Sequence, residues 1–252
     1  MKKILTLFCV FGLTSALEAQ TDSDLGGPAP LPPGPLIQTR APDFAEWVVT
    51  QRTGSIDDTP SRPHTPSAGQ DATASESTED TITKTHDVIR VIRVVRVNTA
   101  SRPWTIWCHG ALEYMIWPDG KSCGQITPGS KDLAPNPFYI DFSHSDFLGF
   151  EWISPKSYTS IKSYQGIKCI VFQTATSPQN DSGAQTTSVK KKAYIDFKTR
   201  LPVALQIGDE QYLYVWNAPP QAMLSFPSMV QTLMDAGAKN QQEMAQRAVR
   251  PW

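Results

Sequence analysis

The sequence has no hydrophobic run that is long enough to cross a membrane as a helix. The longest run, Ile4–Thr14, is shorter than the roughly 20 apolar residues that a spanning helix needs. Two lysines precede this run and small residues follow it, which is typical of a secretory signal peptide. We therefore expect residues 1–19 to be a signal peptide, cleaved after Ala16 or Ala19, and the protein to be exported to the periplasm, the cell surface or the extracellular space.

The sequence also lacks an excess of charge of either sign. It has 23 Lys and Arg residues and 24 Asp and Glu residues, so its net charge is −1. This balance does not favour binding to nucleic acid. Phosphate-binding loops, zinc-protease helices, nucleophile elbows and dinucleotide-binding motifs are absent from the sequence. We therefore expect a non-enzymatic protein without catalytic residues, a cofactor, a metal site, a transmembrane span or a nucleic-acid partner.

Cysteine is scarce, and only Cys108, Cys123 and Cys169 follow the predicted signal peptide. No C-x-x-C pair is present, so the spacing fits no zinc site. An oxidising compartment allows one disulfide. Cys108, Met115 and Cys123 lie on three successive predicted strands that tight turns join. If Cys123 lies opposite Met115, Cys108 and Cys123 are two strands apart, which is too far for a disulfide bond. This register predicts a disulfide between Cys123 and Cys169.

Two short clusters resemble reactive sites. Cys108 and His109 are neighbours, but neighbours on a strand point to opposite faces and cannot form a nucleophile–base pair. Asp141–Asp146 contains two carboxylates and an imidazole, which could bind a divalent ion. Asp and Ser also form turns by bonding to the nearby backbone. We favour this second interpretation for the loop.

The N-terminal part of the chain is poor in apolar residues. Residues 21–40 and 53–85 are rich in Pro, Ser, Thr and Asp, and such segments bury too little surface to offset the entropy of ordering. A short apolar stretch, Phe44–Thr50, lies between them and could dock onto the domain or a partner. We predict a disordered Pro/Ser/Thr-rich arm over residues 20–85, followed by a β-rich domain over residues 86–237.

The pattern of the domain predicts a mainly β (α+β) fold, with a curved antiparallel sheet or meander. Val88–Val97 is dense in β-branched residues, and its three arginines form either a solvated strand edge or a strip for an anionic ligand. Alternation and turn residues predict the remaining strands at Trp104–His109, Leu112–Trp117, Leu148–Ile153, Ile167–Gln173, Lys192–Phe197, Leu201–Ile207 and Gln211–Trp216.

A C-terminal helix is predicted to cover the sheet. An apolar helical face recurs over residues 226–236, with proline in the first turn and Gly237 as a natural stop. Residues 238–252 are expected to form a polar tail.

The last predicted strand is apolar on both faces. Tyr212, Tyr214 and Trp216 share one face, and Leu213 and Val215 share the other. Such a strand is covered on both sides or lines a cavity. Large aromatic residues are most often core, but their number also favours a cavity. The candidate ligand-binding residues are Trp104, Trp117, Trp152, Tyr212, Tyr214 and Trp216.

The end of the domain resembles a known family. Tyr194–Val203 (YIDFKTRLPV) resembles the I-D-x-x-T-x-x-P hairpin of periplasmic domains related to the lipoprotein carrier LolA, and a strand ending in an aromatic and a proline-led helix follow it. The resemblance covers roughly residues 86–236, but the long arm and the hairpins over 104–126 depart from it. It implies a strongly curved antiparallel sheet that wraps over helices and encloses a hydrophobic cavity for acyl chains.

Two functions are consistent with these patterns. The first is binding of an apolar ligand such as a lipid or acyl chain, or of a protein partner, by an exported protein. The second is a structural or interaction module with a solid β core, whose acidic arm recruits a partner. A cavity lined by Trp and Tyr distinguishes the first function from the second.

Overall fold

The computed structural model describes residues 30–56, 77–97, 100–127, 140–176 and 189–249. Within these ranges, the chain forms eleven strands and one long helix. The predicted signal peptide lies outside the described residues. The elements are β1 (Phe44–Thr53), β2 (Ser77–Thr85), β3 (Val88–Val97), β4 (Ala100–His109), β5 (Leu112–Ile116), β6 (Cys123–Ile126), β7 (Tyr158–Tyr164), β8 (Ile167–Thr176), β9 (Val189–Asp196), β10 (Pro202–Ile207), β11 (Glu210–Trp216) and α1 (Ser228–Val249).

All eleven strands belong to one open antiparallel sheet. Their order is β6-β5-β4-β3-β2-β1-β11-β10-β9-β8-β7. The first strand, β1, pairs with both β2 and β11, and it joins the meander β2–β6 to the meander β7–β11. The prediction of a mainly β fold with an antiparallel sheet and a C-terminal helix is therefore confirmed.

Two strands lie inside the segment that the sequence assigned to the disordered arm. Residues 44–53 form β1 and residues 77–85 form β2, so the sheet begins before residue 86. The polar residues of β2 are cross-strand partners of the β3 arginines. Arg93 donates a hydrogen bond to Asp80, and Arg96 and Arg90 donate to Glu79 and Thr83 in the same way. These pairs explain how a polar segment is ordered, and they account for the arginines of β3.

The two faces of the sheet carry different cores. The largest cluster lies on one face, here called the inner face, and includes Trp47, Ile82, Val91, Ile106, Phe172, Ile195, Leu205 and Tyr214. An irregular stretch, residues 140–153, packs on this face through Ile140, Phe142, Phe147 and Phe150, together with residues 31–41. We call residues 140–153 the covering segment. The inner face is thus covered by irregular chain.

The helix lies on the opposite, outer face and is longer than predicted. Its first turns pack through the fully buried Val230 on Trp107 and Tyr114, which lie on β4 and β5. The helix continues through Gly237 to Val249, so residues 238–249 of the predicted tail are helical. A glycine within a helix costs about 1 kcal/mol, and the helix-forming residues after it offset that cost. The helix therefore covers the sheet on its outer face, whereas Tyr212, Tyr214 and Trp216 lie on the inner face, away from the helix.

The strand predicted at Leu148–Ile153 is not formed. Gly149 has a φ of 83°, a conformation that breaks a strand and that glycine adopts readily. The indole N–H of Trp152 donates to the carbonyl of Gly149 at 2.8 Å, and the N–H of Ile153 donates to the carbonyl of Phe150 at 3.0 Å. These local bonds fold the stretch into turns of the covering segment.

Candidate functional site

A cleft of about 570 Å³ opens between the inner face of the sheet and the covering segment. This volume lies within the range of about 300–1,000 Å³ that is usual for small-molecule sites. Its lining residues are Trp47, Val49, Gln51, Thr78, Asp80, Ile82, Arg93, Val95, Ile140, Phe142, Asp146, Leu148, Gly149, Leu205, Ile207, Tyr212 and Tyr214. Most of these side chains are apolar.

The walls of the cleft follow from strand alternation at the centre of the sheet. Val49 of β1 lies opposite Tyr214 of β11 and opposite Asp80 of β2. Because residues two apart share a face, Trp47 lines the same cleft. The centre of the cleft is therefore built by strands from both ends of the chain.

Two of the six predicted ligand-binding residues line the cleft, namely Tyr212 and Tyr214. Trp216 lies beside it, with its ring centroid 5.4 Å from that of Trp47. Trp104 and Trp152 pack against the inner core without lining the cleft.

Trp117 lies away from this cleft and is 37% exposed. Its indole ring lies against Gly124 of β6, where it would meet an added Cβ at 2.8 Å. The sequence did not predict Trp47, Val49 or Asp80 as site residues, and it offered Arg93 only as one of three strand arginines that could meet an anionic ligand. The alternation of Trp47 and Val49 within the apolar stretch was the signal that could have identified two of them.

One wall of the cleft carries an ion pair. The Arg93 guanidinium donates from Nε to Asp80 Oδ1 at 2.8 Å and from Nη2 to Asp80 Oδ2 at 2.7 Å. Both side chains are largely buried. Burial opposes the charge of Arg93, but the hydrogen bonds and charge of Asp80 outweigh it, and the pKa of Arg93 is raised. The two charges therefore neutralise each other at the wall.

A buried carboxylate fixes the covering segment to the sheet. Asp146 Oδ2 accepts hydrogen bonds from Lys84 Nζ at 2.7 Å and from the N–H of Ala41 at 2.8 Å. Asp146 Oδ1 accepts a third bond from Arg40 Nη1 at 3.0 Å. Asp146 thus joins the covering segment, β2 and the residues before β1.

The other carboxylate of this loop forms a local turn. Asp141 Oδ1 accepts a hydrogen bond from the N–H of Ser143 at 2.9 Å and another from the Ser143 hydroxyl. These bonds lower the pKa of Asp141. In the part of the chain that the structure describes, no group of three or more His, Cys, Asp and Glu residues could hold a metal ion. Asp141 therefore bonds its local backbone and forms a turn, which is the interpretation that the sequence favoured.

A second cleft of about 560 Å³ lies on the other side of the covering segment. Its wall is more polar, with Arg40, Lys84 and His86 among its residues, and it shares Phe142 and Asp146 with the first cleft. His86 Nδ1 lies 3.7 Å from a carboxylate oxygen of Asp43. The covering segment therefore separates an apolar opening from a polar one.

Glu113 of β5 is a buried acid on the inner face. Its carboxylate accepts a hydrogen bond from the N–H of Ile140 at 3.1 Å, at the start of the covering segment. Burial raises the pKa of Glu113 from its ordinary value of 4.5 to about 7, and the charge of Asp141 raises it further, whereas the Ile140 bond and Arg93 act in the opposite sense. Near neutral pH, this group is only partly ionised.

Glu113→Gln is expected to raise the free energy of unfolding above pH 7 by up to about 3 kcal/mol, because it removes a carboxyl whose pKa is about 7 in the folded protein and 4.5 in the unfolded chain. The folded pKa is raised above the unfolded value, so the stability of the wild type falls as pH increases from 4.5 through about 7. The amide of Gln can still accept from Ile140. Urea denaturation of both proteins between pH 4 and pH 9 measures the difference.

The control for this substitution is Glu243→Gln, which removes an exposed acid from α1. Its stability difference from the wild type is expected to stay flat across the same pH range. If the stability difference between Glu113→Gln and the wild type is also independent of pH, the pKa of Glu113 is the same in the folded and unfolded protein and is not raised by burial.

The three described cysteines are free. Cys123 lies on β6 and Cys169 on β8, and eight strands separate β6 from β8 in the order of the sheet. The predicted Cys123–Cys169 disulfide is therefore not formed in this structure. Burial raises the pKa of the Cys169 thiol to about 11, with a further contribution from Asp196.

The Cys108 thiol is buried on the inner face, and burial together with Glu113 raises its pKa. A raised pKa disfavours the thiolate that a nucleophile requires. Its neighbour His109 instead bonds through Nε2 to a carboxylate oxygen of Asp87 at 2.8 Å. The two residues do not form a nucleophile–base pair.

Within the described residues, no helix is both long enough and apolar enough to cross a membrane.

No protein-family model matches the sequence, and no curated protein matches it. Among solved structures, the chain is similar to the crystal structure of a LolA superfamily protein from Nitrosomonas europaea. The two share 11% sequence identity, with 74% of this chain and 90% of that chain covered, at a TM-score of 0.32. At this level, the likeness is one of fold alone.

Proposed function

We propose that this protein is an exported, non-enzymatic binding protein that holds an apolar ligand, such as a lipid or acyl chain, in the inner-face cleft. The observation that carries the proposal is the cleft of about 570 Å³ with mainly apolar walls. Export rests on the signal-like residues 1–19. A relationship to LolA-like carriers rests on the hairpin motif Tyr194–Val203, which forms parts of β9 and β10.

The chemistry of the walls supports an apolar ligand. Apolar surface that is removed from water contributes roughly 25 cal/mol per Å², so a chain lying along Val49, Leu205 and Ile207 gains free energy from burial. Tyr212 and Tyr214 add flat aromatic surface beside these aliphatic side chains. A site of this kind favours long apolar groups over small polar metabolites.

A second candidate function is binding of a protein partner by a module whose core is solid. The observation that favours it is the outer face of β11, where Val215 is 57% exposed. Val48 of β1 is paired directly with Val215, so two valines adjoin on this face. In this alternative, the partner docks on these valines, residues of the predicted arm outside β1 and β2 help to recruit it, and the cleft stays empty.

The proposed function is tested by native mass spectrometry of the mature protein after gentle purification, followed by addition of monolauroylglycerol. We expect a co-purifying or added lipid on the wild type. Val49→Trp is expected to abolish binding, because the indole fills the centre of the cleft. Val48→Trp is the matched control, because the neighbouring valine lies on the outer face, and it is expected to bind as the wild type does.

The outcomes separate the two functions. Equal loss of lipid in both Trp variants indicates that binding does not use the cleft. A wild-type protein that carries no lipid and takes up none overturns the proposed function and leaves the partner-binding module as the better account.

A further inference from the structure

The charged groups that line the inner-face cleft are already paired within the protein. Among its described lining residues, only Asp80, Arg93 and Asp146 carry a full charge. Arg93 is held by both oxygens of Asp80. Asp146 is held by Lys84 and by Arg40. The described wall of the cleft therefore offers a ligand one ion pair and one carboxylate that already binds two cations from outside the lining, and none of its three charges is without a counter-charge.

This pairing disfavours a ligand with a charged head group. A carboxylate in the cleft would approach Asp80 and Asp146, while the lining cation, Arg93, is engaged by two short hydrogen bonds. A cationic head would compete with Arg93 for Asp80. In either case, a charge would leave water and find only counter-charges that are already engaged within the protein, which is costly.

An uncharged polar head does not meet this cost. Gln51 and Thr78 lie on the lining beside Asp80. Thr78 supplies a hydroxyl, and Gln51 supplies the amide oxygen and the N–H that remains after Nε2 donates to Glu210 Oε2 at 3.4 Å, and these groups can bond a neutral head group. Thr78 is two residues from Asp80 on β2, and Gln51 lies opposite Thr78 on β1. The polar end of the cleft is thus built from neutral donors and acceptors next to a neutralised pair.

We propose that the cleft selects an uncharged amphiphile, an acyl chain with an ester or hydroxyl head group, and that the Asp80–Arg93 pair determines this selection. The inference rests on the proposed function and specifies the ligand class of the same cleft. The two charges of the pair neutralise each other. Removing either residue leaves the other charge unpaired, and the cleft then favours a ligand whose head group carries the opposite charge.

The experiment measures the affinity of the mature protein by calorimetry for three probes below their micelle concentrations: monolauroylglycerol, laurate and dodecyltrimethylammonium. The wild type is expected to bind monolauroylglycerol about tenfold more tightly than either ion, a difference of ~1.4 kcal/mol. Asp80→Asn leaves Arg93 without its carboxylate and is expected to bind laurate about tenfold more tightly than the wild type does. Arg93→Gln is expected to favour dodecyltrimethylammonium instead.

The matched control is Glu79→Gln, which breaks the neighbouring Glu79–Arg96 pair on the same two strands. Neither residue lines the cleft, so its order of preference should equal that of the wild type. The double variant Asp80→Arg with Arg93→Asp restores the pair in reverse and is expected to restore preference for monolauroylglycerol.

Three results overturn the inference while the proposed function stands. In the first, the wild type binds laurate as tightly as it binds monolauroylglycerol. In the second, Asp80→Asn binds laurate no more tightly than the wild type does. In the third, Glu79→Gln gains the same affinity for laurate as Asp80→Asn. The wild-type ranking decides the matter even if a variant does not fold. Failure of all three probes to bind the wild type overturns the proposed function itself, and with it this inference.

Discussion

Asp146→Ala is expected to lower the free energy of unfolding by about 3–5 kcal/mol, as removal of one partner of a buried ion pair does. The side chains of Lys84 and Asp146 are 8% and 1% exposed. Without the carboxylate, Lys84 Nζ keeps only its 3.1 Å bond to the carbonyl of Ala41, and the N–H of Ala41 loses its acceptor. Urea denaturation at pH 7, followed by tryptophan fluorescence, measures the loss.

The matched control is Asp141→Ala in the same loop. Asp141 is exposed, and its hydrogen bonds are to Ser143 in its own turn. Its loss is expected to cost about 1 kcal/mol or less. Lys84→Met combined with Asp146→Leu removes both buried charges and is expected to recover part of the stability. If Asp146→Ala and Asp141→Ala are equally mild, the covering segment is not held by the buried pair in solution.

The elements that sequence reasoning predicted best are those with short connections. The strands β9 to β11, which short turns join, are formed where the alternation and turn residues placed them, with limits that differ by a few residues. The strand β8 is also formed where it was predicted, although residues 177–188 separate it from β9. In the hairpin of β4 and β5, Cys108 lies opposite Glu113, as the tight turn at Gly110 implies. Local pattern and turn chemistry are sufficient in such hairpins because both partners are near in sequence.

The next hairpin shows where the same reasoning fails. Cys123 was predicted opposite Met115, but it pairs with Ile116. Asp119 accepts bonds from the N–H groups of Lys121 and Ser122, which makes the loop one residue wider than a tight turn. A shift of one residue reverses the facing of the whole strand.

The strand β1 was missed because its partner β11 is distant in the chain, and β2 was missed because its residues are polar, although a tight turn joins it to β3. Thr50 of β1 pairs with Leu213 of β11, a contact that no local pattern indicates. The acids of β2 resemble a solvated arm until the β3 arginines are placed opposite them. The same omission concealed half of the site. The alternation of side chains along β11 identified Tyr212 and Tyr214, but not the residues of β1 and β2 that lie on the same face of the sheet.

Trp47→Ala is expected to lower the free energy of unfolding by about 3–5 kcal/mol, the usual cost of truncating a buried Trp. Trp47 is fully buried, with its ring centroid 5.4 Å from Trp216 and 5.7 Å from Phe147. The substitution leaves a cavity where β1 meets β11 and the covering segment. Urea denaturation and near-ultraviolet circular dichroism measure the stability and the loss of the stacked indole pair.

Trp117→Ala is the control, because it removes the same side chain from a site that is 37% exposed. Its cost is expected to be about 1 kcal/mol or less. The comparison also tests whether β1 belongs to the sheet. In the arm that the sequence predicted, Trp47 would be solvated and its truncation would be milder than that of Trp117. A large cost at Trp47 beside a small one at Trp117 requires β1 to be packed at the centre of the sheet, where it forms the wall of the cleft.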